Sequence, residues 1–308
     1  MKTAFLFSGQ GAQYPGMGKE LYDSFDVAKE VFDTGTDVLG RSLTDLCFEG
    51  NQDELNLTHN TQVCMLAVDL AAGYALKSLG IKADCVAGFS LGEYAALVFA
   101  GVMDIRDAFR IVQIRADAMQ AAVSVGKGAM AALMGADGVE ADKICSMTKE
   151  GYVAPANYNS PVQTVISGDD IGVNAAIKLA EEQGYTAIKL SVSAPFHCKL
   201  MEPAAIRVGD ELKKIDLKDP FIPVYMNVTG KAILSADKIP DLLVRQAMGP
   251  VQWVNTLENM KLSDIENYIE CGAGKTLWGL TRKTLKNVNS LKAVDLKSLN
   301  DTIQKLNG

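Results

Sequence analysis

Cys85-Val86-Ala87 reads as a short buried strand and Leu91–Ala100 as a helix, and they are joined by Gly88-Phe89-Ser90-Leu91-Gly92. A G-x-S-x-G between a strand and a helix is a nucleophile elbow, with its serine in a strained turn at the strand's carboxyl end. The residues two before and two after the serine must be small, because the chain folds back on itself there. Gly88 and Gly92 meet that demand. Ser90 would then sit at a helix N-terminus, where free N–H groups stabilise a developing oxyanion. A second reading stays open: Ser90-x-x-Glu93 is also a capping box, which would start a helix without chemistry. Capping accounts for Ser90 and Glu93 but not for the paired glycines.

The alternation of short apolar runs with longer amphipathic segments extends along the chain. Ala4–Phe7 reads as a buried strand ending in the turn Gly9-Gln10-Gly11. Thr61–Leu79 reads as a helix with Val63, Leu66, Ala67 and Leu70 on one face, and Asp104–Gln120 as a long amphipathic helix. This pattern predicts an α/β fold with a mostly parallel sheet. The texture changes near residue 125. Lys127–Leu133, Gln163–Ser167 and Thr186–Val192 read as strands, with helices at Val139–Lys149 and Ile171–Gly184 between them. That β-α-β-α-β order suits a small ferredoxin-like unit. After Pro195 the α/β texture returns, with strands expected at Pro223–Asn227 and Tyr268–Glu270. The expected organisation is a large unit, 1–124 and 195–308, carrying the small unit 125–194 as an insertion.

Composition narrows the chemistry. The net charge is -7, whereas a chain that neutralises many phosphates needs a basic field, so nucleic acid is not an expected partner. No stretch approaches the ~18 apolar residues of a membrane span. None of the six cysteines forms a C-x-x-C pair, which removes zinc-framework and thioredoxin-like readings and leaves buried free thiols of a reducing cytoplasm. There are two histidines, His59 and His197, so multi-histidine metal sites are nearly excluded. If the base for Ser90 is histidine, it is one of these two. His59 lies in the polar stretch Asn56–Thr61 before a helix, a cap-like or surface context. His197 follows Ser193-Ala194-Pro195-Phe196, a turn between apolar segments from which a side chain can enter a cleft.

Arg106 and Arg110 share a solvated helix face with Gln113 and Asp117. Arg115 instead falls on the apolar stripe with Ala108, Val112 and Met119. A buried guanidinium needs an anionic partner. That partner is either a structural ion pair or the carboxylate of a substrate, which a planar fork grips in bidentate fashion. Two weaker signals fall away. Gly272-Ala273-Gly274-Lys275-Thr276 resembles the end of a P-loop but has Ile269 where the first glycine belongs. Gly9-Gln10-Gly11 has Tyr14 where a dinucleotide fingerprint has its third glycine.

Together these segments resemble the malonyl-CoA:acyl carrier protein transacylases of bacterial fatty-acid synthesis. The resemblance rests on Phe7-Ser8-Gly9-Gln10-Gly11-Ala12-Gln13, Gly88-Phe89-Ser90-Leu91-Gly92-Glu93-Tyr94, and Arg115 ahead of Gly126–Ala132. It continues through Asn157-Tyr158-Asn159-Ser160-Pro161, Pro195-Phe196-His197-Cys198 with Leu200-Met201, Pro250-Val251-Gln252-Trp253 and Gly272-Ala273-Gly274-Lys275. It implies a hydrolase-like large subdomain and a ferredoxin-like small one. It makes Ser90 the acylated nucleophile, His197 its base and Arg115 the binder of the malonyl carboxylate. Gln10 and Leu91 would supply oxyanion-hole amides, and Gln246 a backbone carbonyl that accepts from His197. Phe196 matches a bulky residue that selects malonyl over methylmalonyl units. The implied partners are malonyl-CoA and acyl carrier protein, with no cofactor or metal, in a cytoplasmic monomer.

Three positions depart from the family pattern. Phe89 replaces a common histidine, Ser8 a common proline, and Ala273 the proline of a common G-P-G. Lys275, Arg282, Lys283 and Lys286 form a basic stretch that could meet an acidic carrier, or simply a solvated face. Competing readings are an acyltransferase serving a polyketide synthase, a serine esterase or thioesterase, and a non-catalytic carrier-binding module.

Overall fold

The computed structural model describes residues 1–124, 126–192 and 194–307. Val125, at the head of the expected small unit, and Ser193, ahead of Pro195, lie outside the described residues. The strands are β1 (Lys2–Phe7), β2 (Cys85–Gly88), β3 (Gly128–Met134), β4 (Val153–Ser160), β5 (Gln163–Asp169), β6 (Thr186–Lys189), β7 (Val224–Tyr225), β8 (Ala232–Ile233), β9 (Ile265–Cys271) and β10 (Asn289–Ala293). They form two sheets, ordered β10-β9-β1-β2-β7-β8 and β4-β5-β3-β6.

The larger sheet is parallel except where β8 runs against β7. Both of its faces are covered, which is why β1 reads as an unbroken apolar run. Phe5 and Phe7 point into one core with the Thr58–Ser78 helix, while Ala4 and Leu6 point into the other with Trp253 and Tyr268. That helix was expected to bury one face. It is buried nearly all round, because it lies between the sheet and the helices Asp26–Leu39 and Ile105–Ala122. The strand register places Phe7 beside Gly88 and Cys271. The segments after β1, β2 and β9 therefore leave the sheet at one level on its carboxyl edge, where open α/β sheets hold their ligands.

The smaller sheet is wholly antiparallel. With helices Gly138–Met147 and Asp170–Glu182 it makes β-α-β-β-α-β, the ferredoxin-like arrangement. The sequence reading lacks β4. Its run Val153-Ala154-Pro155-Ala156-Asn157-Tyr158-Asn159-Ser160 is poor in strand formers and contains a proline. It holds as a strand because it sits at the sheet edge, where a missing donor is tolerated, with a register shift at Pro155. Asp137 and Asp169 cap the two helices, accepting from the amides of Glu140 and Gly172. Two expected strands are shorter than read: one ends at Lys189 and the other is only Val224–Tyr225.

One face of the small sheet packs on its own helices through Ala131, Leu133, Ile144, Val173 and Ala176. Its other face, with Met130, Ala132 and Val165, meets Met119, Phe196, Met201 and Ala247. All six cysteines are free and buried.

Candidate active site

Sterics dictate the turn after β2. A Cβ at Gly88 would fall on the carbonyl of Gly92, and one at Gly92 on the carbonyls of Phe7 and Ser8. Ser90 between them has φ 54°, a left-handed conformation that costs a non-glycine residue about 1–2 kcal/mol. His197 has φ 59°. Strained backbones at both positions aim the two side chains at each other. Ser90 Oγ lies 2.7 Å from His197 Nε2. His197 Nδ1 donates to the backbone carbonyl of Gln246 at 2.8 Å, which leaves Nε2 free to accept from the serine. Burial pushes the imidazole down to about 4, and Arg115 pushes the same way against the backbone of Gln246. At neutral pH the His197 imidazole is therefore uncharged, with Nε2 facing the serine hydroxyl. The capping alternative does not hold: the Gly92–Phe99 helix has no side-chain cap, and the Glu93 carboxyl turns inward.

Arg115 is 1% exposed, on the inner face of the Ile105–Ala122 helix. Nη1 donates to Gln62 Oε1 at 2.6 Å, and Nη2 to Gln246 Oε1 at 3.1 Å and to Ser90 Oγ at 3.2 Å. The guanidinium also lies 5.5 Å from the centre of the Tyr94 ring. Among the described residues its Nε has no hydrogen-bond partner and no ion pair involves the guanidinium. Of the two readings open for Arg115, the structural ion pair is absent. Burial lowers its pKa, with Tyr94 and Glu93 opposing. Arg106 and Arg110, in contrast, pair with Asp37 and Asp107 at the surface.

The Gly9-Gln10-Gly11 segment closes on the elbow. A Cβ at Gly9 would stand 2.7 Å from the Phe89 carbonyl, so only glycine permits this approach. The Gln10 side chain donates to Thr58 Oγ1 at 3.4 Å. Leu91, next to the serine, is 1% exposed. Phe89 packs edge-on against Trp253, ring centres 5.3 Å apart, and has no ionisable group to offer the site. Phe196 is buried in the apolar layer beside His197. His59 is in the first turn of the Thr58–Ser78 helix, not in a loop before it, and its carbonyl accepts from Arg41.

The matching family description, "acyl transferase domain", spans residues 4–298. This chain belongs to the acyl transferase domain family. The acyltransferase is 40% identical over 308 residues to the malonyl CoA-acyl carrier protein transacylase of Bacillus subtilis, covering 99% of this chain and 97% of the relative. The protein of the same name from Escherichia coli strain K12 is 41% identical over 290 residues, 93% of this chain and 94% of its own. Among solved structures, the malonyl CoA-acyl carrier protein transacylase of Clostridium perfringens superposes with a TM-score of 0.97 at 42% identity, covering 100% of this chain and 98% of that one. A malonyl-transacylase solved in complex with its type II PKS acyl-carrier protein gives 0.96 at 37% identity, covering 99% and 100%.

Three residues of the acyltransferase site escape the sequence reading: Gln62, Glu93 as anything but a cap, and Asn227. Gln62 and Glu93 left a signal, each being polar within an otherwise apolar helical run. Asn227 left none, because its contacts with the elbow and with Glu93 reach 134 to 139 positions along the chain.

Proposed function

We infer that this chain is an [acyl-carrier-protein] S-malonyltransferase, moving malonyl from malonyl-CoA to the phosphopantetheine thiol of acyl carrier protein. One observation carries this reading. A buried guanidinium whose hydrogen-bond partners are all neutral has one of its nitrogens 3.2 Å from the hydroxyl of the serine–histidine pair. A buried cation without a counter-charge is a site for an anion that arrives with the substrate. Glu93 is the acid nearest in the network. Burial raises its carboxyl to about 8, against the Asn227 amide, Gln246 and Arg115, which weakens it as a counter-charge. A malonyl carboxylate on Arg115 would bring the thioester carbonyl to Ser90.

In the first half-reaction His197 Nε2 takes the Ser90 proton as Oγ attacks the thioester carbon. The amides of Gln10 and Leu91 receive the oxyanion. The C–S bond then breaks, the CoA sulfur takes the proton from His197, and a malonyl ester remains on Ser90. In the second half the carrier thiol gives His197 its proton and attacks that ester, and Ser90 leaves with the proton restored. Exchange of one thioester for another needs no cofactor. Phe196 beside the base would exclude an α-methyl branch. We place the enzyme in the cytoplasm as a monomer serving fatty-acid synthesis, and divide it into 1–124 with 195–308 and 125–194. The second reading, service to a polyketide carrier, is favoured by the likeness to the PKS complex.

Intact mass after mixing with malonyl-CoA or acetyl-CoA tests the reading. The wild type should gain one malonyl group, and Ser90→Ala none. Unpairing one member of a buried charged contact costs about 2–5 kcal/mol, so Arg115→Ala should slow malonylation by at least about 30-fold and acetylation far less. Equal losses for the two acyl groups would remove Arg115 from carboxylate recognition, and an unmodified wild type would overturn the reading.

A further inference from the structure

Glu93 is the second residue of the Gly92–Phe99 helix, in the run Glu93-Tyr94-Ala95-Ala96-Leu97-Val98-Phe99, and is wholly buried. An acid in such surroundings is costly unless its oxygens find donors. Both do. Oε1 accepts from the backbone amide of Asn227 at 2.5 Å, and Oε2 from Gln246 Nε2 at 3.0 Å.

Each partner leads to one half of the reacting pair. Asn227 Oδ1 accepts from the Ser90 amide at 2.7 Å, and its Nδ2 donates to the Gly88 carbonyl at 2.6 Å. The elbow is thus held on both sides of Phe89. Gln246 Nε2 also donates to the Ser90 carbonyl at 2.6 Å, while its backbone carbonyl accepts from His197 Nδ1 at 2.8 Å. Because Nε2 faces the Glu93 acceptor, Oε1 of the same amide faces Arg115, from which it accepts at 3.1 Å. One carboxyl therefore joins the support of the nucleophile to the support of the base, across three separate segments of chain.

We propose that Glu93 is a positioning residue for acyl transfer: its two oxygens keep Asn227 and Gln246 in fixed register, and through them set the approach of Ser90 to His197. This deepens the function proposed above and rests on it. Glu93 exchanges no proton with substrate and acts only through its two partners. A glutamine at 93 would keep one acceptor but turn an NH2 group toward a neighbouring donor. Either Asn227 or the Gln246 amide must then move, and the serine or the histidine with it.

The test is the rate of malonyl-serine formation, by rapid quench and intact mass, for wild type, Glu93→Gln, Asn227→Ala and the double variant, with melting temperatures alongside. A misplacement of 1 Å costs about 10²-fold, so Glu93→Gln should lower the acylation rate constant by that order with KM changed less than about threefold. Its melting temperature should be unchanged or higher, since a neutral amide removes the burial cost of an acid. Asn227→Ala should lower the same rate constant. The double variant should lose no more than about the larger single loss, as residues acting as one unit are non-additive.

Glu93→Gln acylating within twofold of wild type would overturn the proposal. So would a double loss equal to the product of the singles, or a rate loss that merely follows a fall in melting temperature. If Glu93→Gln does not fold, Asn227→Ala takes its place. A slowed rate with unchanged melting then supports the proposal, and an unchanged rate overturns it. A wild type that takes up no malonyl group would sink the functional reading instead, which keeps the two failures distinct.

Discussion

His197 shows how environment, more than identity, determines what a side chain does. An exposed histidine would be half-protonated near its ordinary 6.5, whereas burial beside Arg115 brings this one down to about 4. Because kcat/KM reports the free enzyme, it should stay level from neutral pH to about 5 and halve near 4. Halving near 6.5 would mean that water reaches the imidazole. Stability carries the same signature with a definite sign. The unfolded chain binds a proton near 6.5 that the folded chain refuses until about 4. The contribution of His197 to stability is therefore complete above 6.5 and is lost as pH falls from there to 4. Arg115 is the converse case. Its sequence position revealed burial, but that its partners are the neutral Gln62 and Gln246, which approach from two other helices, came only with the fold.

At the level of the element, the elbow is the most legible part of the chain. Its constraints are local: a strand must reverse into a helix within five residues, and only small residues at 88 and 92 allow it. Gly88→Ala should therefore cost on the order of 3 kcal/mol, the upper range for overpacking, and abolish acylation. Gly279→Ala, in the Thr276–Thr284 helix with no atom within 4 Å of the added carbon, should gain about 0.5–1 kcal/mol. Thermal melts and acyl-serine yields of the two variants check the contrast. By the same logic β4 was hard to read. Little in Val153–Ser160 favours a strand, and pairing with β5 and the bridge to Val251 make it one.

For the whole molecule, charge distribution matters more than the net value of -7. Lys275, Arg282, Lys283 and Lys286 are all exposed, and none is in an ion pair among the described residues. The turn before Lys275 abuts the Gln10 segment, since a Cβ at Gly274 would lie 3.0 Å from that of Ala12. The patch thus begins beside the segment that carries Gln10. Reversing Lys275 and Arg282 to glutamate should lower kcat/KM for an acidic carrier by about tenfold or more at low salt, less at high salt, with malonyl-serine formation little changed. Salt-independent transfer that tolerates the reversal would leave the patch a solvated face. No helix among the described residues is long and apolar enough to cross a membrane.

Whatever depends on near neighbours is written in the chain itself. That covers the alternating strands and helices, the glycine-framed serine, the burial of Arg115 and the ferredoxin-like insertion in outline. It also left two histidines as the candidates if the base is histidine. Whatever depends on groups far apart in the chain came only with folding. Folding brought Ser90 to His197 across 107 positions, gave Arg115 neutral partners, and linked Glu93 to Asn227 and Gln246 across 134 and 153. A buried polar group is meaningful only through its partners. In a parallel sheet those partners arrive at the carboxyl edge from segments that no local pattern connects.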